Sequence, residues 1–139
     1  MLRHPQEDLI EGRDARDIIY AVDGDDEVDA RYGGDDVYGG AGRDEIEGGG
    51  HGPEGVLHYE DLDKLYGGDG NDVLKDRRAN RDHDELRGGE GNDIVNAYDG
   101  DVLDIVVCGL GTDDTAIFDV DSVAGSDSVS DSCENKVPR

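Results

Sequence analysis

The chain has 139 residues, the length of one domain, and its 37 acidic and 13 basic side chains give a net charge of −24. Hydrophobic residues make up 34%, with one Phe and no Trp, a composition that alone is typical of a disordered chain. The charge opposes binding to nucleic acid or anionic membranes, and no apolar run approaches the length of a membrane span.

Aspartate recurs at every ninth position over the first third of the chain, and an aliphatic residue follows each of these aspartates two places later. After an interruption the same step joins Asp63 to Asp72 and Asp84 to Asp93. Because a unit this short has no core of its own, a continuous core forms only when successive units stack. The predicted core file is Ile10, Ile19, Val28, Val37, Ile46, Leu65, Leu74, Leu86 and Val95.

Three units carry the pattern Gly-Gly-x-Gly-x-Asp, and they begin at Gly39, Gly67 and Gly88. Set in one nine-residue register over roughly residues 8 to 115, they resemble the RTX family of nonapeptide repeats, a calcium-binding parallel β-helix signature. Carboxylates at this density repel one another, so a cation that neutralises them is expected. Acidity that merely solubilises the protein in a salty habitat is the alternative, and it does not explain the nine-residue spacing.

The resemblance implies an all-β fold, a right-handed parallel β-roll (β-solenoid) of stacked two-nonapeptide coils with a C-terminal cap. The six residues of a unit that end at Asp turn tightly, and the next three form a short strand whose middle residue points inward. Tyr20 and Tyr38 are eighteen residues apart and are expected to stack on the outer face. The expected division is a lead-in at 1–7, repeats at 8–115 with loop insertions at about 48–62 and 76–81, and a cap and tail at 116–139.

In RTX proteins the glycine-rich turns supply main-chain carbonyl oxygens and the repeat aspartate supplies a side-chain oxygen. Such a set suits Ca²⁺, which accepts six to eight oxygen ligands. The resemblance therefore implies several calcium ions between stacked turns. The implied aspartate ligands are Asp8, Asp17, Asp26, Asp35, Asp44, Asp63, Asp72, Asp84, Asp93, Asp104 and Asp113. The implied turn ligands are Gly39, Ala41, Gly67, Gly68, Asp69, Gly70, Gly88, Gly89, Glu90, Gly91, Gly109 and Gly111.

A step of eighteen residues sorts the aspartates onto two edges of the roll. The turns ending at Asp72, Asp93 and Asp113 form the strongest candidate site. Turns without glycine pairs, such as the one ending at Asp26, either use extra carboxylates as ligands or stand empty. One edge is expected to stack Asp8, Asp26, Asp44, Asp63, Asp84 and Asp104. The other is expected to stack Asp17, Asp35, an interrupted position, Asp72, Asp93 and Asp113.

The longest break in the pattern lies between Asp44 and Asp63. These residues are nineteen positions apart, and Pro53 stands where an aspartate belongs. We interpret this stretch as one degenerate unit in which residues 48–55 bulge as a loop and Val56 or Leu57 fills the core position.

Two features mark the C-terminal region. Its composition shifts towards Ser, Val and Asp, which favours a cap over the last open core. Cys108 and Cys133 are the only cysteines. A disulfide between them would stabilise the cap by about 3 kcal/mol in the entropic model and imply an oxidising compartment, whereas two free thiols are the alternative. The candidate capping side chains are Ile117, Phe118, Val120 and Val123.

No catalytic pattern accompanies the repeats. The four histidines lack zinc-type spacing, the Asp-x-Asp fragments lack the frame of an EF-hand, and nothing marks a nucleophile. The resemblance implies an extracellular calcium-dependent folding module, whose export route is open because the first eight residues contain no apolar signal-peptide core. A non-catalytic accessory domain of a secreted enzyme and an extracellular adhesion or binding module are the alternatives. Calcium ions are the expected partners, and the protein is expected to be a monomer or an end-to-end dimer.

Overall fold

The computed structural model describes residues 6–49, 62–76, 83–100, 104–121 and 125–139, and this part of the chain contains fifteen β-strands. It contains no helix that could cross a membrane. One sheet, the short-strand sheet, comprises β1 (Leu9–Glu11), β3 (Glu27–Asp29), β5 (Glu45–Glu47), β7 (Val73–Lys75), β9 (Ile94–Asn96), β11 (Thr115–Phe118) and β15 (Asn135–Pro138). The long-strand sheet comprises β2 (Ile18–Asp23), β4 (Asp36–Ala41), β6 (Lys64–Asp69), β8 (Glu85–Glu90), β10 (Ile105–Leu110) and β14 (Ser128–Val129). A small antiparallel pair joins β12 (Val120–Asp121) and β13 (Gly125–Ser126).

The chain alternates between the two main sheets as it advances. Each strand from β1 to β9 pairs in parallel with the strand two places further along the chain, for example β1 with β3 and β2 with β4. One coil of the solenoid therefore contributes one strand to each sheet. The register of the first coils is eighteen residues, as in the pairing of Leu9 with Glu27. The predicted all-β solenoid of stacked coils is therefore confirmed.

The core lies between the sheets and is built from the predicted aliphatic file. Seven of the nine predicted residues, from Val28 to Val95, are at most 1% exposed, and Ile19 is 9% exposed. Ile10 is only partly buried because it lies in β1, the edge strand of its sheet. In β11 the inward position belongs to Ala116, which is fully buried.

The break between Asp44 and Asp63 does not separate the strands on either side of it. β4 pairs with β6 and β5 pairs with β7, so no strand intervenes between these coils in either sheet. The step across the break is 28 residues instead of 18. The interpretation of this stretch as a unit of the stack was therefore wrong, because the strands on either side of it pair directly with each other. Val56 and Leu57 lie outside the described residues.

A column of tyrosines lies on the outer face of the long-strand sheet. The ring centroids of Tyr20 and Tyr38 are 4.8 Å apart, which confirms the predicted stack. Tyr66 continues it at 4.9 Å from Tyr38, because β6 lies directly beside β4. This spacing matches that of neighbouring strands, so the column follows from strand pairing and requires no ligand.

The C-terminal strands extend both sheets. β14 pairs in parallel with β10, and β15 pairs in parallel with β11. Cys108 in β10 and Cys133 in the turn before β15 form the predicted disulfide, with Cα atoms 5.1 Å apart. Of the candidate capping side chains, Phe118 packs partly buried against the core whereas Val120 is 47% exposed. Val123 lies outside the described residues.

A row of glycines with positive φ crosses the long-strand sheet. Gly40, Gly68, Gly89 and Gly109 stand in register with φ between 109° and 125°. A Cβ on any of them would lie 1.9–2.2 Å from a carbonyl oxygen of the preceding strand. Val22 occupies the same position in β2 with φ of 90°, a conformation that is a genuine outlier for a β-branched residue. Its side chain is accommodated because β2 is the edge strand of its sheet.

Replacing Val22 by glycine is expected to stabilise the fold by about 1 kcal/mol. The strain of a positive φ, of the order of 1–3 kcal/mol, exceeds the entropic cost of glycine, about 0.5–1 kcal/mol. Little burial is lost because Val22 is 61% exposed. Thermal denaturation in a calcium-containing buffer measures the change in Tm.

Ile18→Gly is the matched control for this substitution. Ile18 lies in the same strand and is also 61% exposed, but it does not have a positive φ. Its replacement is expected to lower the Tm. A Val22→Gly protein with a Tm at or below that of the wild type would contradict the strain assignment.

Candidate functional site

The two edges of the solenoid differ in the length of their turns. On the edge that we call the glycine edge, the long strands β2, β4, β6, β8 and β10 are joined to the following short strands by residues 24–26, 42–44, 70–72, 91–93 and 111–114, and β14 is joined to β15 by residues 130–134. On the other edge, the insertion edge, the connections span residues 30–35, 48–63, 76–84, 97–104 and 119–127. The insertions therefore fall on one edge, and the turns of the glycine edge are nearly constant in length.

The structure changes the predicted sorting of aspartates after Asp44. Because the extra residues lengthen one insertion-edge turn, Asp72 and Asp93 stack on Asp44, and Asp63 stacks on Asp35. The predicted edges were thus correct up to the break and exchanged beyond it. As a result, the three full Gly-Gly-x-Gly-x-Asp turns are neighbours on the glycine edge.

A ladder of hydrogen bonds joins the aspartates of each edge. In each step the backbone N–H of one aspartate donates to the Oδ1 atom of the aspartate in the next coil. On the glycine edge the donors and acceptors are Asp8 to Asp26 (2.8 Å), Asp26 to Asp44 (3.0 Å), Asp44 to Asp72 (2.9 Å), Asp72 to Asp93 (2.9 Å) and Asp93 to Asp114 (2.7 Å). On the insertion edge they are Asp17 to Asp35 (2.7 Å), Asp35 to Asp63 (2.7 Å), Asp63 to Asp84 (2.6 Å), Asp84 to Asp104 (3.0 Å) and Asp104 to Asp127 (3.3 Å).

The second carboxylate oxygen on the glycine edge receives no such bond. The Oδ2 atoms of Asp26, Asp44, Asp72, Asp93 and Asp114 are buried and accept no hydrogen bond within the described chain. A buried, uncompensated carboxylate is costly, so the group either takes up a proton or requires a cation. Burial raises the pKa of Asp72 to about 7 and that of Asp93 to about 6, against the lowering effect of the backbone N–H donor.

Carbonyl oxygens approach these carboxylates where the first glycine of each turn lacks a side chain. A Cβ on Gly39 would lie 2.4 Å from Asp44 Oδ2 and 2.6 Å from the carbonyl oxygen of Gly67. The same two kinds of oxygen lie 2.4 and 2.5 Å from the corresponding point at Gly67, and 2.2 and 2.4 Å from it at Gly88. Oxygen atoms without protons that converge in this way suit a hard cation such as Ca²⁺. The residues present therefore fit an ion between coils.

The carbonyl oxygens of three predicted turn ligands accept a hydrogen bond between strands. Ala41, Asp69 and Glu90 stand in register at the ends of their long strands, with exposed side chains. Their carbonyl oxygens accept hydrogen bonds from the N–H groups of Gly24, Gly42 and Gly70, respectively, at 2.7–2.9 Å. These carbonyls are thus part of the sheet ladder. The carbonyls of Gly67 and Gly88, by contrast, face the carboxylates.

At the last repeat turn the ladder residue is Asp114 and the prediction of Asp113 was wrong. Asp114 is fully buried, whereas Asp113 is exposed and accepts a hydrogen bond from Asn135 Nδ2 at 2.9 Å. This turn has one residue more than the preceding turns on its edge, and the connection 97–104 has two more than residues 30–35, so the step from Asp93 to Asp114 is 21 residues. The sequence contains a signal for Asp114, since each repeat aspartate is followed two places later by an inward-facing aliphatic residue. Ala116 lies two places after Asp114 and is buried.

The insertion edge contains acidic residues that the repeat pattern did not select. Asp76, Asp99 and Asp104 place carboxylate oxygens within 4.8 Å of one another, the one such group of three found among the described residues. Asp119 Oδ2 accepts hydrogen bonds from the N–H groups of Asp99 and Gly100 at 3.0 and 2.9 Å. Asp76, Asp99 and Asp119 lie outside the nine-residue register, so only the folded turns reveal their proximity.

Comparison with protein families agrees with this geometry. The model of the RTX calcium-binding nonapeptide repeat matches four times, at residues 6–31, 29–51, 60–75 and 78–102, and these copies cover more than half of the chain. The chain belongs to the RTX calcium-binding repeat family. Searches of curated proteins and of solved structures returned no match. Calcium is the ion that repeats of this family bind.

The raised pKa values predict an unusual pH dependence for the ion-free RTX chain. Asp72 and Asp93 have pKa values of about 7 and about 6 in the fold, against 3.8 for an unperturbed aspartate, mainly because of burial. The folded chain thus retains protons that the unfolded chain releases. The resulting stability is fully present below about pH 4 and is lost as the pH rises through 6 to 7.

In chelator we therefore expect a higher Tm at pH 5 than at pH 8, measured by far-UV circular dichroism. With saturating calcium the order is expected to reverse, since protons and the cation compete for the same carboxylates. A chelated protein whose Tm increases from pH 5 to pH 8 would be inconsistent with buried, uncompensated carboxyl groups.

Proposed function

We propose that the glycine edge binds calcium ions between consecutive turns and that this binding drives the folding of the roll. The observation that carries the proposal is the repeated convergence of a buried carboxylate Oδ2 and a carbonyl oxygen beside Gly39, Gly67 and Gly88. It recurs in three successive intervals, an interval being the space between two consecutive turns of the glycine edge.

The three proposed intervals lie between residues 42–44 and 70–72, 70–72 and 91–93, and 91–93 and 111–114. Their aspartate ligands are Asp44, Asp72 and Asp93, and their main-chain ligands include the carbonyls of the next coil. We propose no ion in the first interval, between 24–26 and 42–44, because Ala21 stands in the place of the first glycine. Its methyl group takes the position where the oxygens converge in the other turns.

Charge supports coupling between binding and folding. The chain has a net charge of −24, and folding stacks carboxylates in a column beside a core of aliphatic side chains. Without cations, repulsion within the column is relieved only if some carboxylates are protonated. Near neutral pH this protonation costs free energy. Calcium supplies positive charge and accepts oxygen ligands in flexible geometry, so its binding free energy becomes folding free energy.

The proposed setting is extracellular. The Cys108–Cys133 disulfide is of a kind that persists in oxidising compartments. The RTX repeat is a structural calcium-binding module, and we propose that this chain acts as such a module without catalysing a reaction itself. Calcium-dependent folding would keep the chain unfolded where the ion is scarce and allow it to fold where the ion is abundant.

A calcium titration of chelator-stripped protein tests the coupling directly. Far-UV circular dichroism is expected to show a cooperative gain of β signal with calcium and none at the same concentrations of magnesium. Magnesium is the control because it requires stricter octahedral geometry and retains its waters. A chain that is fully folded in chelator and indifferent to calcium at neutral pH would refute ion-coupled folding.

Single substitutions test the assignment of ligands. Asp72→Asn and Asp93→Asn keep the size of the side chain but remove its charge, and each is expected to weaken calcium binding by at least about tenfold in isothermal titration calorimetry. Asp113→Asn is the matched control, because it removes the same charge from an exposed side chain outside the ladder. Equal losses in all three variants would indicate a general charge effect and not a ligand site.

A further inference from the structure

The last repeat of the glycine edge has a cysteine at the position where the three preceding repeats have Gly39, Gly67 and Gly88. Gly109 pairs with Gly89, so Cys108 stands in register with Gly88. Its carbonyl oxygen also plays the part of a glycine carbonyl, since it lies 2.4 Å from the point where a Cβ on Gly88 would stand. Cys108 therefore supplies a carbonyl oxygen to the interval before it, as a glycine would. Unlike a glycine, it also places a side chain in the interval after it.

That side chain takes the place in which oxygens converge in the earlier intervals. A Cβ on Gly67 would lie 2.4 Å from Asp72 Oδ2 and 2.5 Å from the carbonyl oxygen of Gly88, so no side chain fits there. Cys108 has one, is fully buried and is bonded to Cys133, which is 3% exposed. The last interval thus has a sulfur–sulfur bond between the coils at a position where the others have two oxygen atoms.

The turn on the far side of this interval also lacks the features of an ion site. Residues 130–134 contain no glycine. Two of its contacts with the preceding coil are made by side chains: Gly109 N–H donates to Ser132 Oγ at 3.1 Å, and Asp114 N–H donates to Glu134 Oε2 at 2.9 Å. Glu134 thereby continues the hydrogen-bond ladder without a repeat aspartate.

We propose that the Cys108–Cys133 disulfide substitutes for a calcium ion in the last interval, so that docking of the final coil, β14 and β15, depends on oxidation and not on calcium. This inference rests on the proposed function for the preceding intervals. It divides the glycine edge into an ion-dependent part, from residue 39 to 114, and a covalently fastened end. Reduction would release the final coil while the calcium-bound coils stay folded.

Hydrogen exchange measured by mass spectrometry on the full chain in saturating calcium tests the proposal. The variant is Cys108→Ser combined with Cys133→Ser. Amides of β15 are expected to exchange about a hundredfold faster than in the oxidised wild type, the factor expected when a cross-link closing a loop of this length is lost. Amides of β6 and β8 are expected to keep their protection, which also shows that the variant is folded.

Two controls isolate the covalent bond. Ser132→Ala removes the acceptor of the Gly109 N–H but keeps the disulfide, and it is expected to leave β15 protected. If the double variant fails to fold, the wild type is folded in calcium and then reduced with a dithiol. In that reaction two electrons and two protons from the dithiol convert the two sulfurs to thiols, and the dithiol closes to a cyclic disulfide.

The outcomes separate this inference from the proposed function. Protection of β15 that persists without the disulfide in saturating calcium would overturn the inference, as would the loss of one bound calcium ion per chain in the double variant by metal analysis. Selective loss of β15 protection with an unchanged ion count supports it. Failure of calcium to protect β6 and β8 in the wild type would instead overturn the proposed function.

Discussion

Burial of a column of carboxylates is the constraint on which this solenoid depends. Parallel strands lie about 4.8 Å apart, so stacking identical turns places aspartates of like charge at nearly that spacing. The backbone N–H of each preceding coil satisfies one oxygen of Asp44, Asp72 and Asp93, and leaves the other buried without a partner. The fold therefore creates a demand for positive charge at the same places where it supplies carbonyl oxygens. The solenoid architecture and the proposed ion sites are two consequences of one stacking geometry.

Close approach of the coils is the second requirement, and glycine meets it because it has no Cβ. Three residues occupy positions where the neighbouring coils have glycine, and they lie at the two ends of the row of glycine pairs. Val22 carries its side chain at an edge strand, where no strand of the sheet faces it. Ala21 and Cys108 bound the glycine pairs at the two ends of the row, and only Cys108 uses its side chain to join coils. The ends of the repeat thus differ chemically from its centre.

The two edges divide the constraints between them. The glycine edge keeps its turns almost constant in length, because each turn must align with its neighbours for the oxygens to meet. The insertion edge accepts connections of six to sixteen residues, since its strands pair correctly whatever the length of the connection. Hydrogen bonds still link its aspartates from Asp17 to Asp127, so insertion has not removed the ladder there.

Much of this molecule was determined by sequence alone. The nine-residue spacing of Asp and of the aliphatic residues that follow it specified the stacked solenoid, the inward file from Ile19 to Val95 and the tyrosine column, because local periodicity decides which side chains share a face. Cys108 and Cys133 are the only cysteines, so the sequence favoured their disulfide over two free thiols, and the structure forms it. Which turns share an edge was decided only by tertiary structure. An insertion of ten residues can be read as a nonapeptide with one residue extra, and only the pairing of β4 with β6 shows that it adds no strand between them. The same holds for Asp114, since a one-residue extension of a turn changes which carboxylate is buried, and strand register, a long-range property, settles the choice.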